Sequence, residues 1–166
     1  MKHVLVAYFS VSGVTAKLAK TFADVTRADL FEIRPAQAYT AADLNWKDRQ
    51  SRSSLEMMNP NARPALAERV ENMDQYDAVI LAFPIWWGEA PRVVETFVEA
   101  HDLSGKTVLS ICTSGGSGYG KSGKILASLT DDRVHWMEGD RFSANAAPEE
   151  IDAWLSKKGW KIDRKA

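Results

Sequence analysis

The chain has 166 residues, 45% of them hydrophobic, and its 21 basic and 22 acidic residues leave a formal net charge of −1. This length predicts one domain over residues 1–166 with a sizeable core, and the balanced charge argues against nucleic acid or an anionic membrane surface as a partner. No stretch approaches the ~18 consecutive apolar residues of a membrane-spanning helix. The single cysteine, Cys112, permits no internal disulfide, which favours a cytoplasmic location, and the three scattered histidines give no metal-ligand spacing.

The first predicted strand, Val4–Phe9, is apolar throughout, which is typical of a buried strand in a parallel sheet. Three hydroxyl side chains and a glycine follow it, namely Ser10, Ser12, Gly13 and Thr15. A helical pattern then begins, with Leu18, Phe22 and Val25 on one stripe and Ala16, Ala19 and Ala23 beside it. A strand that runs into a helix directs free backbone N–H groups and the positive end of the helix dipole toward one place. The loop is therefore suited to a phosphate group.

An ordinary helix cap is the alternative explanation for these hydroxyls, but one cap needs one hydroxyl, and here three surround a glycine. The loop lacks the lysine of a nucleoside-triphosphate site and the three-glycine spacing of a dinucleotide site. We therefore favour a site for one terminal monophosphate.

Strands and helices continue to alternate along the chain. Further strands are predicted at Asp29–Arg34, Asp77–Phe83, Lys106–Cys112 and Val134–Met137. Helices are predicted from about Pro64, from about Pro91, through Ile125, Leu126 and Leu129, and from Pro148. This alternation predicts a parallel sheet with helices on both faces, and the half-polar second strand suits an edge. We expect Cys112 to be a buried strand residue rather than a catalytic thiol.

Residues 35–63 form a connection far longer than the usual two to six residues. Leu44, Trp46, Leu55, Met57 and Met58 give it apolar content, so we expect this segment to pack as a wall of the ligand pocket or of a dimer interface.

The loop after the third strand contains Pro84, Ile85, Trp86, Trp87 and Gly88. Each tryptophan carries ~150–250 Å² of mostly apolar surface, so the pair either belongs to the core or covers a flat ligand. We favour the ligand, since surface loops seldom hold two such rings without a purpose.

The loop after the fourth strand contains Thr113, Ser114, Gly115, Gly116 and Gly118. Its glycines would let backbone N–H groups approach a ligand, and a merely flexible turn is an equally good explanation of this loop by itself. Because ligands of such sheets bind at the carboxyl ends of the strands, we expect the loops after Phe9, Phe83 and Cys112 to converge.

The first two loops resemble those of the flavodoxin-like family. Ser10-x-Ser12-Gly13-x-Thr15 is similar to its FMN-phosphate loop, with Val14 where Asn is frequent, and the Pro-Ile-Trp-Trp-Gly run is similar to its aromatic loop. The resemblance implies a three-layer α/β fold with a five-stranded parallel sheet of order 2-1-3-4-5, and FMN as cofactor. The implied FMN-binding residues are Ser10, Ser12, Gly13, Val14, Thr15, Pro84, Ile85, Trp86, Trp87, Gly88, Thr113, Ser114, Gly115, Gly116 and Gly118.

The same resemblance suggests two finer features. Gly88 would let the Trp87–Gly88 peptide turn its carbonyl toward flavin N5 on reduction. Short relatives carry an excursion with a tyrosine, an Arg/Glu-rich stretch and a closing Arg-Pro, which this chain matches loosely with Tyr39, Arg52, Glu56, Arg63 and Pro64.

Three functions follow as hypotheses. The favoured one is an FMN-dependent oxidoreductase that passes electrons from NAD(P)H to a quinone-like or other small acceptor, with no side chain needed as acid or base. The second is an electron-transfer flavodoxin that docks on redox proteins, which the lack of a marked acidic charge disfavours. The third, a phosphate-binding regulatory module, is disfavoured by the tryptophan pair. A homodimer is compatible with the resemblance, because many flavin reductases of this fold build their site across one.

Overall fold

The computed structural model describes residues 3–114 and 118–160. Five strands form one sheet: β1 (Val4–Tyr8), β2 (Asp29–Glu32), β3 (Ala78–Pro84), β4 (Thr107–Thr113) and β5 (His135–Arg141). Their order is β2-β1-β3-β4-β5, and each neighbouring pair is parallel. This confirms the predicted sheet and places the half-polar β2 at an edge.

The described residues form five α-helices, four of them between strands and the last one after β5: α1 (Val14–Thr26), α2 (Arg52–Met58), α3 (Arg92–Ala100), α4 (Ser122–Ala127) and α5 (Pro148–Lys157). Successive residues of β3 face opposite sides of the sheet, and its buried residues Ala78–Phe83 contribute to two cores. One core joins α1 and α5 to the sheet through Leu18, Phe22, Ile151 and Leu155. The other joins α3 and α4 to it through Val94, Phe97 and Leu126. Within the described residues, no helix is long and apolar enough to cross a membrane.

The helix predicted to begin near Pro64 is wrong. The chain there pairs with the segment after β2, where the backbone N–H of Ala36 donates to Ala65 O at 2.7 Å and that of Ala67 donates to Arg34 O at 2.8 Å. Backbone groups that would bond within a helix are thus paired with the segment that follows β2. The helix of this connection is α2, which lies earlier in the chain.

The last strand is longer than predicted, since β5 begins at His135 and continues past Met137 to Arg141. A register shift between Leu109 and Ile111 accommodates Gly139, where an added Cβ would lie 1.6 Å from Ser110 O. This backbone contact requires glycine. The polar residues around Gly139 hid the strand, because this edge strand lacks the apolar pattern that marks the central strands β1, β3 and β4. The helix predicted through Leu129 ends earlier, at Ala127.

Candidate functional site

The three loops converge as expected at the carboxyl ends of β1, β3 and β4. Between them lies a cavity of about 280 Å³, here called the loop cavity. Its lining residues are Val11, Ser12, Val14, Thr15, Pro84, Ile85, Trp86, Thr113 and Ser114.

The loop between β1 and α1 presents the start of a helix to this cavity. Gly13 has a φ of +89°, which glycine adopts at little cost, and α1 begins directly after it. The Ser10 hydroxyl accepts the Gly13 N–H at 3.2 Å, but no side chain caps the first turn of α1. The backbone N–H groups of that turn therefore have no intrahelical partner and are available to an anion.

The three hydroxyls of the loop have different surroundings. Ser10 shapes the turn, and Ser12 is exposed at the cavity rim. Thr15 is buried, and its Oγ1 lies 2.8 Å from Oγ1 of Thr113, so this hydrogen bond joins the first loop to the third. The hydroxyls thus combine a structural role with a lining role.

The aromatic loop is a tight hairpin. Trp86 and Glu89 exchange backbone hydrogen bonds of 2.9 and 3.1 Å, and the residues between them, Trp87 and Gly88, have φ values of +51° and +78°. Two positive φ values are the pattern of a type I′ turn, in which a tryptophan is strained. Gly88 O accepts the backbone N–H of Lys121 at 3.4 Å, which ties this turn to the far end of the third loop.

The two tryptophans have separate environments. Trp86 is half-buried and meets Phe9 and Tyr39 edge-on, with ring centroids 5.6 and 5.4 Å away. Trp87 is 50% exposed. The two tryptophans therefore differ: Trp86 packs against the core and also lines the cavities, whereas Trp87 is presented to solvent.

A second cavity of about 440 Å³, here called the aromatic cavity, adjoins the loop cavity. Its lining residues are Val11, Leu44, Trp46, Ser53, Ile85, Trp86 and Trp87. The two cavities share Val11, Ile85 and Trp86, so they are parts of one cleft with hydroxyls and helix amides at one end and indole rings at the other. The aromatic cavity lies within the ~300–1,000 Å³ typical of small-molecule sites.

Residues of the long connection hold the aromatic wall in place. The Tyr39 hydroxyl donates to Glu56 Oε1 at 2.5 Å, and Arg52 Nε donates to Glu56 Oε2 at 2.9 Å. The Arg52 guanidinium also lies 3.9 Å from the Tyr39 ring centroid. Burial, with the Glu56 contact, raises the pKa of Tyr39 above its ordinary value, so the phenol remains a donor.

A buried arginine fastens α2 to α3. Arg92 Nη2 donates to Met57 O at 2.8 Å, and its Nη1 pairs with Glu95 at 2.9 Å and Glu89 at 3.1 Å. Arg63 pairs with the same Glu95 at 2.8 Å. The wall formed by residues 35–63 is therefore joined to α3 by charge-assisted hydrogen bonds.

The third loop is described in part. Gly115 and Gly116 lie outside the described residues, whereas Gly118 is described and exposed. Arg141 Nε donates to Ser114 Oγ at 2.9 Å, and its Nη2 donates to Ser114 O at 3.2 Å. The sequence interpretation missed Arg141 because it ended the last strand at Met137. A strand extended to Arg141 would have placed this residue among the other carboxyl-terminal ends.

Cys112 belongs to the core rather than to the chemistry of the site. It is fully buried in β4, and burial raises the pKa of its thiol to about 12. A thiol in this state is a poor nucleophile at neutral pH.

The donor set and the cleft fit a flat molecule with a terminal phosphate. Uncapped α1 amides and Ser12 provide hydrogen-bond donors at one end, while Trp86 and Trp87 provide apolar surface at the other. FMN has these two parts, and the residues present are compatible with it.

Comparison with known proteins identifies the family. The family model described as Flavodoxin matches residues 3–158. A protein assigned as a flavoprotein from Bacteroides eggerthii is 43% identical, with a TM-score of 0.92 over 97% of this chain and 100% of that one. Another from Bacteroides uniformis is 41% identical, with a TM-score of 0.87 over 93% of this chain and 98% of that one.

A more distant structure, a flavoprotein from Lactobacillus acidophilus in complex with FMN, is 20% identical, with a TM-score of 0.69 over 96% of this chain and 99% of that one. No curated protein matches the chain. Because the family model covers nearly the whole sequence and the solved relatives share the fold from end to end, the chain belongs to the flavodoxin family.

Proposed function

We propose that this protein binds FMN in the cleft and acts as an oxidoreductase between NAD(P)H and a quinone-like or other small acceptor. The observation that carries the proposal is the continuity of the two cavities, which joins a phosphate-type helix start to an aromatic wall. The FMN complex of the Lactobacillus acidophilus flavoprotein supports the same cofactor.

Bound FMN would supply two-electron chemistry, in which a hydride from reduced nicotinamide and one proton from solvent together convert a quinone into a hydroquinone. The chain's own residues bind the cofactor and orient its ring. The N–H groups of the first turn of α1 and the Ser12 hydroxyl bind the phosphate, while Trp86 and Trp87 exclude water from the ring site. Gly88 gives the Trp87–Gly88 peptide freedom to reorient its carbonyl.

The long connection favours an enzyme over an electron carrier. Leu44, Trp46 and Ser53 line the aromatic cavity, so this segment forms one side of a partly open space beside the indoles. A concave, mostly apolar pocket suits a small planar acceptor, whereas docking with a redox protein uses a broad and electrostatically complementary face. The carrier remains the second candidate, and turnover with small molecules separates the two.

The phosphate part of the proposal is tested by comparing FMN with riboflavin. Replacing Ser12 with Ala should weaken FMN binding at least about tenfold, since one charge-assisted hydrogen bond contributes roughly 1.5–3 kcal/mol, and should leave riboflavin binding unchanged. The measurement is fluorescence titration, with Ser156→Ala on α5 as a matched control. Equal affinity of the wild-type protein for FMN and riboflavin would contradict the phosphate site.

The redox part is tested by steady oxidation of NADH or NADPH with a quinone, using the FMN-loaded protein alone. Sustained turnover supports the enzyme. Reduction that proceeds only with an added reductase protein would favour the carrier.

A further inference from the structure

A groove of about 540 Å³ lies beside the aromatic cavity, and its role goes beyond cofactor binding. Its lining residues are Trp46, Lys47, Arg49, Ser54, Met57, Met58 and Trp87. Trp46 and Trp87 line both this groove and the aromatic cavity, so the groove opens next to the proposed flavin ring site.

The walls of the groove are apolar and exposed. Trp46 is 66% exposed, Met58 62% and Trp87 50%, although each would gain by burial. Trp87 also keeps a strained backbone with φ of +51°. Strain and exposed indoles that persist together are typical of a place where a ligand is held. Two indoles and two flexible methionines suit a flat, polarisable ring.

The charges at the groove all have one sign. Lys47 and Arg49 are the charged groups among the described residues that line it, and neither forms a described ion pair. Lys47 Nζ lies 5.5 Å from the Trp46 ring centroid, and the carboxylate of neighbouring Asp48 accepts the backbone N–H of Gln50 at 2.9 Å. On a chain of net charge −1, this is a local excess of positive charge.

The turn that carries these cations is braced. Ser54 Oγ donates to Asp48 O at 2.8 Å, and the backbone N–H of Ser51 donates to the same oxygen at 3.1 Å. The backbone between Lys47 and Arg49 is therefore held before any ligand binds, which lowers the entropic cost of binding.

We propose that this groove binds a planar aromatic molecule that carries an acidic group, with the ring between the indoles and methionines and the anion at Lys47 and Arg49. The role of this molecule as the electron acceptor rests on the proposed function, but its binding does not. The groove volume lies in the range of small-molecule sites, and its cations select an anion over a neutral ring.

The test compares a monosulfonated anthraquinone with hydroxymethyl-anthraquinone, its neutral analogue, by calorimetric titration of the FMN-loaded protein. The sulfonate should bind more tightly, and raising the salt from about 0.05 M to about 0.5 M should weaken only its binding. In the double variant Lys47→Gln/Arg49→Gln, the dissociation constant of the sulfonate should rise about tenfold. Each exposed ion pair strengthens binding by a few fold, and the variant removes two of them. The neutral analogue should change less than about twofold on the same ground.

The control is Lys124→Gln/Lys157→Gln, which removes the same charge from α4 and α5, outside the groove. It should bind the sulfonate as the wild type does. Equal loss in both double variants, or no preference for the sulfonate, would overturn the proposal. The proposal would also be overturned if the protein bound neither compound and the Lys47→Gln/Arg49→Gln variant sedimented as a smaller species than the wild type. The groove would then be occupied by a second copy of the chain.

Failure of the proposed function appears separately. If the protein takes up no FMN, judged by its visible absorption, but binds the sulfonate through Lys47 and Arg49, the proposed ligand class stands and the proposed redox function is contradicted. A protein that turns over neutral quinones without discriminating the sulfonate would keep the redox role and lose the groove.

Discussion

Trp87 and Trp86 are neighbours in the chain whose side chains meet different demands. Trp87 occupies the first central position of a type I′ turn, where an L-residue pays roughly 1–2 kcal/mol for its left-handed backbone. Trp86 instead packs edge-on against Phe9 and Tyr39. We infer that Trp87 is retained for the ligand and Trp86 for stability.

Substitution should separate these roles. Trp87→Gly relieves the backbone strain, so the free energy of unfolding should stay within about 1 kcal/mol of wild type, while FMN affinity falls about tenfold through loss of ring contact. Trp86→Ala should cost about 2–3 kcal/mol, less than a fully buried tryptophan would. Urea unfolding and FMN titration measure the two quantities. Wild-type FMN affinity in both variants would contradict the aromatic-loop assignment.

The hydrogen bonds of His101 determine the tautomer of its neutral ring. Its Nε2 accepts the backbone N–H of Val70 at 2.9 Å, and its Nδ1 lies 2.8 Å from Phe97 O, so the neutral ring donates at Nδ1. Burial lowers the pKa of His101, the Phe97 carbonyl opposes this, and the charge of Arg69 lowers the pKa further. Protonation would place a second donor against Val70 N–H.

This geometry gives a signed pH dependence. Because the folded pKa is below the unfolded value of ~6.5, the unfolded chain binds the proton first as the pH falls. The stability from His101 is complete above that value and declines as the pH drops through it toward the folded pKa. Urea unfolding near neutrality and at mildly acidic pH should show a smaller decline in His101→Gln than in wild type. His135→Gln, at an exposed position, should retain the wild-type decline, and a decline unchanged in His101→Gln would contradict the assignment.

At the scale of elements, α2 depends on neighbours more than on its own length. It has seven residues, too few for a stable isolated helix, and its N-cap Ser51 accepts the Ser54 N–H at 3.4 Å. At the other end, Arg92 binds the carbonyls of Glu56 and Met57. The arginine supplies the positive charge that a helix C-terminus favours.

Removing this arginine should therefore be costly. Arg92→Ala leaves Glu95 buried with Arg63 as its remaining partner, so we expect a loss of about 3–5 kcal/mol and faster proteolysis within α2. The control is Arg34→Ala, which breaks the exposed 2.7 Å pair with Glu68 and should cost under ~1 kcal/mol. Equal costs for the two substitutions would show that burial of the Arg92 cluster contributes nothing.

At the scale of the whole molecule, the cleft joins parts of the chain that are distant in sequence. The loops after β1, β3 and β4 and the connection between β2 and β3 all border it. A ligand bound there would hold these segments together, so binding should be coupled to global unfolding.

FMN at about 100 times its dissociation constant should add about 2.7 kcal/mol to the free energy of unfolding. For a chain of this size, that corresponds to a rise in Tm of about 5–10 °C. Thermal unfolding followed by circular dichroism measures the rise, and riboflavin at the same concentration should produce a smaller one. A Tm indifferent to FMN would contradict cofactor binding in the cleft.

The sequence alone predicted the sheet, because the local hydrophobic pattern of each segment indicates a strand. Apolar runs such as Val4–Phe9 and Ala78–Phe83 need both faces buried, and alternation with helices makes the sheet parallel. It also predicted that the loops converge, since parallel strands end at the same edge. It failed at Pro64 and beyond Met137, where hydrogen bonds between distant segments outweigh the local signals.

The contacts of the individual site residues depend on tertiary packing and could not be predicted from the sequence. Trp86 and Trp87 are the same residue type at adjacent positions. Trp86 is packed because Phe9 and Tyr39 lie against it, and Trp87 is exposed because of the geometry of the turn. The groove likewise brings Lys47 and Arg49 beside Met57 and Met58 of α2, the helix that Arg92 fastens to α3. Local patterns determine which face of an element is apolar, whereas the neighbours of a side chain come from segments far apart and are fixed by packing.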